Sequence, residues 1–174
     1  MRNTHRAWIF LANLAVLLSF RVALSDIPAK EDSGAPPPVT EAELVRFHGH
    51  LGPFVVLGAK MGELAIGQHH IPRYFGLTVE VQGPISPPRS CLVDGLQWAT
   101  GATMGKGNIR QTPSEEIRVH FRRDDTGAGI TVRLSAEATE LLKAWEAESV
   151  EVEDRGRRLL SIPAAELFKV DIRP

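Results

Sequence analysis

The stretch FHGHLGPFVVLGAKMGELA, residues 47–65, decides how the chain folds around its most informative side chains. Pro53 suits the first turn of a helix, where a backbone N–H would have no partner, and the apolar pattern continues to about Gly67. Small residues recur along this helix and predict a close neighbour, either another helix or a sheet: Gly58, Ala59, Gly62 and Ala65.

Two histidines stand just before this helix, and the only cysteine opens a second informative segment, CLVDGLQWATGATMGKGNI, residues 91–109. Residues i and i+2 point apart on a regular helix, but a looped backbone at Gly49 lets His48 and His50 reach one ion. Imidazole and thiolate are the ligands that zinc prefers, and a catalytic zinc keeps three protein ligands. The pattern therefore predicts a site made of His48, His50 and Cys91.

Cys91 stands where we expect a helix to begin, and Asp94 follows three residues later. The positive end of a helix and its free N–H groups predict a lowered thiol pKa. Two alternatives remain. Either Cys91 is inert while one histidine braces the helix turn, or it is a nucleophile with His48 or His50 as its base. We place the nucleophile below metal binding because nothing in the sequence specifies a substrate.

The glycine-rich run GATMGKGN, residues 101–108, resembles a phosphate-binding loop but lacks its spacing. It is one residue short, and no Ser or Thr follows Lys106 to hold magnesium. The glycines more simply turn the chain from a helix into a strand. Lys106 and Asn108 are predicted, with Asp94, to line a pocket and to contact an anionic group.

The remaining pattern indicates an α+β domain: a helix, a strand, a helix and three strands, forming a mostly antiparallel sheet with helices packed on it. Alternation over residues 77–82 predicts the first strand, a short extended segment is expected at 106–110, and residues 116–122 and 130–134 predict a hairpin. A helix is expected over 135–149, a charged surface loop over 151–158 and a short helix over 163–168.

The N-terminal residues have the features of a secretory signal peptide, residues 1–25. A basic start precedes an apolar run of 14 residues, 7–20, and Ala23 and Ser25 suit a signal peptidase. We expect an exported protein with cleavage after Ser25; the alternative is a membrane anchor formed by residues 7–20. The proline-rich segment 26–40 predicts a flexible linker, so the folded domain spans 41–174, with Thr40 as a helix cap.

Charge argues against nucleic acid as the main partner. Three of the 20 basic residues and none of the 21 acidic residues lie in the segment 1–25, so the processed chain has a net charge of −4. A single cysteine also means that no disulfide can form within the chain.

The first segment resembles the start of the domain found in the E subunit of formylmethanofuran dehydrogenase, and the segment 91–109 resembles that family's second signature. AELFKV, residues 165–170, is similar to its closing segment, so the resemblance covers about residues 41–172. It implies the same order of helices and strands, and a metal site at His48, His50 and Cys91 with Asp94 beside them. The family usually has a cysteine at the position of Gly52, so one soft ligand is absent here.

The resemblance implies a metal-binding domain, most simply for zinc, that acts as an accessory module, a sensor or a small metalloenzyme. It leaves open whether the chain is an enzyme. The alternative is a domain that has lost its metal and serves as an interaction module. For partners, the resemblance is compatible with a second copy of the chain or with a metalloenzyme, and with a membrane only if residues 1–25 are retained.

Overall fold

Residues 38–174 are described by a computed structural model. The predicted signal peptide and residues 26–37 of the linker lie outside the described residues. Between residues 38 and 174, no helix is both long enough and apolar enough to cross a membrane.

Six helices and five strands make up the described part of the chain. The helices are α1 (Glu41–His48), α2 (Pro53–His69), α3 (Leu92–Thr100), α4 (Ala136–Ala147), α5 (Val152–Ser161) and α6 (Ala164–Leu167). The strands are β1 (Leu77–Gly83), β2 (Ile109–Pro113), β3 (Arg118–Arg123), β4 (Gly129–Leu134) and β5 (Phe168–Arg173). Short 3-10 turns occur at Arg89–Cys91 and Met104–Lys106.

The five strands form one sheet in the order β2-β1-β3-β4-β5. Helix α3 carries the chain back to the end of the sheet at which β1 begins, so the β1–β2 pair is parallel. The other three pairs are antiparallel. The predicted α+β class with a mostly antiparallel sheet is confirmed.

Strand alternation gives the sheet two different faces. Val79, Val119 and Val132 lie on the inner face and are fully buried, because α2 and the other helices cover that side. The intervening residues, such as Glu80, His120 and Arg133, lie on the outer face. One side of the sheet therefore supplies the core and the other carries polar side chains.

Helices α2 and α3 run side by side at very short range, as the small residues predicted. A Cβ atom at Gly58 would overlap the carbonyl oxygen of Leu92, and one at Gly95 would overlap that of Val55. Gly62 faces Ala99 further along. The contacts advance in the same direction on both helices, so the N-termini of α2 and α3 lie at the same end of the pair.

The prediction of a surface loop over the charged segment 151–158 is wrong, because this segment forms most of helix α5. Its charges occupy the solvent side, while Leu159 is fully buried and Gly156 lies against the carbonyl oxygen of Leu51. Lys60 of α2 is 8% exposed and donates a 3.0 Å hydrogen bond to the carbonyl oxygen of Leu160. Burial lowers the pKa of Lys60, and the nearby Glu63 opposes that shift.

The last strand is the second difference from the predicted order. Residues 164–167 form the expected short helix, but the chain then continues as β5 at the edge of the sheet. Phe168, Val170 and Ile172 alternate with charged residues, so this strand has a local sequence signal that the helix expected over 163–168 obscured.

Candidate functional site

The two segments singled out in the sequence meet where α1 ends and α3 begins. Helix α1 ends at His48, and Gly49 adopts a left-handed conformation with φ of 94°, which turns the chain sharply toward α2. Asp94 lies in the first turn of α3. His48 Nδ1 and Asp94 Oδ2 are 2.8 Å apart.

This contact fixes the tautomer of His48. A carboxylate oxygen can only accept a hydrogen bond. Nδ1 therefore carries the ring proton and donates a hydrogen bond to Asp94. The neutral ring then has its lone pair on Nε2. That atom is buried and has no hydrogen-bond partner among the described residues. A buried nitrogen without a hydrogen-bond partner costs the folded protein free energy. Because the lone pair of Nε2 has no partner among the described residues, it is free to accept a ligand.

His50 lies next to the imidazole ring of His48, and Gly52 lies next to His50. The rings of His48 and His50 have centroids 4.8 Å apart and are tilted by 36°. Gly52 has an ordinary extended conformation, φ −81°, and a Cβ built there would be 3.1 Å from Nε2 of His50. A side chain at position 52 would therefore enter the space beside the histidine pair.

Cys91 caps the N-terminus of α3, as predicted, and is partly buried. The predicted lowering of its thiol pKa is wrong. Burial raises the pKa of Cys91 most, the charge of Asp94 raises it further, and a backbone hydrogen bond only partly opposes them. The helix terminus is outweighed by the burial of the thiol and, in addition, by the Asp94 carboxylate one turn away.

The side chains do not form a complete metal cage as they stand. Across residues 38–174, no three His, Cys, Asp or Glu side chains are arranged so that they could hold one ion together. His48 is held in place by Asp94, whereas the exposed His50 has no such support in the contacts described.

Lys106 and Asn108 lie at the other end of α3 from Asp94. Lys106 Nζ contacts the carbonyl oxygen of Gly101, and Asn108 Nδ2 donates a 3.0 Å hydrogen bond to that of Tyr74. Asn108 Oδ1 also accepts from the backbone N–H of Thr103. These two residues fasten the glycine-rich loop to the segment before β1, so they do not share a pocket with Asp94.

Sequence reasoning placed Asp94 beside the site but missed its specific role as the partner of His48. The sequence holds no periodic signal for this contact, because 46 residues separate the two side chains. His120, which the sequence analysis did not single out, lies among arginines on the outer face of the sheet.

Comparison with known proteins agrees with the fold and the motifs. A crystal structure of a tungsten formylmethanofuran dehydrogenase FmdE-like protein from Syntrophus aciditrophicus superposes with a TM-score of 0.58 at 22% identity, covering 76% of this chain and 68% of that one. A probable S-adenosyl-L-methionine-binding protein of Archaeoglobus fulgidus is 28% identical over 148 residues, or 72% of this chain. The chain spans about 40% of the length of that relative.

The family model described as FmdE, molybdenum formylmethanofuran dehydrogenase operon, matches residues 47–169. The match runs from the residue before His48 into β5 and so includes the whole candidate site. The chain therefore belongs to the FmdE family.

Proposed function

We propose that this domain binds a divalent transition metal, most simply zinc, with Nε2 of His48 as its anchoring ligand. The observation that carries the proposal is the buried, unpartnered Nε2 on a ring whose Nδ1 is held by Asp94. Metal-ligating histidines generally donate their second ring N–H to a carboxylate, which fixes the tautomer and the ring orientation. His48 already has this arrangement.

His50 and Cys91 would supply the other ligands, an imidazole and a thiolate of the kind that zinc prefers. His50 lies beside His48, and Cys91 lies one helical turn from Asp94. Bound zinc would act there as a Lewis acid with a position open to water or a substrate. The chain's own part is to orient His48, to supply the thiolate and to leave space at Gly52.

The raised pKa of Cys91 argues against a free nucleophile. A nucleophilic cysteine needs an environment that stabilises the thiolate at rest, whereas burial and Asp94 do the opposite here. A divalent cation deprotonates a coordinating thiol outright. An accessory or sensor role, or a small metalloenzyme, is compatible with such a site.

We expect Asp94→Ala to weaken zinc binding by about 10–100-fold, because His48 loses the partner that orients it. Asp94→Asn should recover part of the affinity, since its amide oxygen still accepts from Nδ1. The measurement is zinc affinity by competition with a chromophoric chelator. Asp125→Ala, in the exposed turn after β3, is the matched control and should bind as the unchanged protein does. Equal affinity in Asp94→Ala and Asp125→Ala would contradict the role of Asp94.

Gly52→Cys should bind zinc at least about tenfold more tightly, because it adds a soft ligand next to His50 Nε2. The backbone at Gly52 accepts a side chain, and the exposed His50 ring has to give way by only a few tenths of an ångström. Gly105→Cys adds an exposed thiol in the turn after α3 and is the control. Cobalt substitution reports the added thiolate through its sulfur-to-metal absorption. If the unchanged chain carries no metal and Gly52→Cys gains none, the domain is better described as an interaction module without a metal.

A further inference from the structure

The outer face of the sheet carries an unusual row of cations. In the register of the strands, Arg118 of β3 lies directly opposite Arg133 of β4, and Arg133 lies directly opposite Lys169 of β5. Side chains in such positions have Cβ atoms about 5 Å apart, and like charges there are destabilising. Three adjacent strands thus present one continuous row of positive charge about 10 Å long.

The rest of this face is basic as well, although the chain as a whole is slightly acidic, with a formal net charge of −1. Glu80 and Asp171 are the acidic residues that the strands place on it. The basic side chains there number six: Arg110, Arg118, Arg122, Arg133, Lys169 and Arg173. Positive charges therefore outnumber negative charges on this face, although Arg110 is paired with Glu80 and Arg122 with Asp124.

Two cavities open beside the row and share its central pair. Arg118 and Arg133 line a cavity of about 260 Å³ whose other charged or titratable residues are His120, Arg173, Glu80 and Asp171. They also line a second cavity of about 350 Å³, whose other charged residues are Arg89, Glu115 and Glu116. Guanidinium groups thus stand on both sides of the Arg118–Arg133 pair. The first cavity has space for a small ligand, and its lining is predominantly polar.

The acidic neighbours of this pair hold it weakly. Glu116 pairs with Arg118 and is 71% exposed; Asp171 lies 3.3 Å from Arg133 and is 57% exposed. Exposed ion pairs contribute little to stability, so a multiply charged ligand can displace these carboxylates. Arg173 is held by a neutral partner, since its Nε donates to Thr131 Oγ1 over 3.0 Å.

We propose that the outer sheet face binds a small phosphate-bearing anion, with Arg118 and Arg133 as its central contacts. Arginine's planar fork binds phosphate through two parallel hydrogen bonds, and two adjacent forks match linked phosphate groups better than a single carboxylate. The bound anion removes the repulsion within the row. This site lies on the side of the sheet away from α2 and is independent of the proposed metal site.

The test is calorimetric titration with inorganic diphosphate at constant ionic strength, in buffer without divalent cations. We expect one diphosphate per chain, and at least tenfold weaker binding in both Arg118→Gln and Arg133→Gln. Arg46→Gln, which removes an exposed arginine of α1, should bind as tightly as the unchanged protein. Thermal melts verify that each variant is folded. If one of the two variants Arg118→Gln and Arg133→Gln is unfolded, Lys169→Gln, at the exposed edge of the sheet, is tested in its place.

Citrate, titrated in parallel, separates phosphate from carboxylate recognition. We expect diphosphate to bind more tightly than citrate. The proposal is overturned if diphosphate gives no saturable binding, if the arginine variants bind it like Arg46→Gln does, or if citrate binds as tightly.

Discussion

Gly95→Ala is expected to destabilise the domain by about 3 kcal/mol or more, a large share of the roughly 5–15 kcal/mol that stabilises a typical native protein. The new Cβ would overlap the carbonyl oxygen of Val55 in α2, which is backbone and cannot rotate away. Relief requires the two helices to move apart, and that would expose the core between them. Gly58→Ala, which meets Leu92 from the other helix, should have the same effect.

Gly67→Ala is the control for both substitutions, because Gly67 lies in α2, the helix of Gly58, but no atom stands near its Cβ position. Alanine in an open helical position should stabilise the domain by up to about 1 kcal/mol. Urea denaturation of the three variants measures both effects. Midpoints for Gly95→Ala and Gly67→Ala that shift in the same direction would contradict the close approach of α2 and α3.

Cys91→Ser is expected to lower zinc affinity by more than Asp94→Ala does, for which roughly 10–100-fold is expected. The reason is that Cys91 is itself a proposed ligand, whereas Asp94 only orients one. The fold should remain intact, since Cys91 is only partly buried and makes no side-chain hydrogen bond as the cap of α3. Zinc content after gel filtration, together with the melting temperature, separates loss of metal from loss of structure.

The outcome that would contradict this prediction is a Cys91→Ser protein that keeps its zinc. Ser114→Ala, an exchange in the exposed segment after β2, is a suitable control because it leaves the sulfur in place. A cobalt-loaded protein provides a second measurement: the sulfur-to-metal absorption should disappear in Cys91→Ser alone.

The sequence predicted those parts of the fold where local pattern and packing agree. Pro53 at the first position of α2, the alternation in β1 and the cap at Thr40 all depend on neighbouring residues, and each is found in the structure. Gly58 and Gly62 predicted a close neighbour because a helix has little other use for interior glycines.

Apart from β5, whose alternation is a local signal, the parts that were missed depend on contacts between distant residues. Helix α5 presents charged residues to solvent. Its two buried residues, Leu159 and Gly156, indicate a packed helix only once α2 and Leu51 are in place. Likewise, the Arg118–Arg133 pair is invisible until the register of β3 and β4 is known. Charge alone could not reveal either feature.

The membership of the candidate site stays a prediction, and its electrostatics differ from those predicted for Cys91. The family resemblance brought His48, His50, Cys91 and Asp94 together, and the structure joins His48 to Asp94. The pKa of Cys91 shifts in the opposite direction from the prediction because the carboxylate beside it and its burial outweigh the helix terminus. Asp94 thus orients the histidine and at the same time disfavours the free thiolate.

The measurement that tests the central claim most directly is the metal content of the unchanged chain, purified without a histidine tag and determined by elemental mass spectrometry. The proposed site predicts one zinc, or one equivalent transition metal, per chain after the protein is loaded with metal and passed through gel filtration. A chain that retains no metal under these conditions, while remaining folded, would contradict the claim.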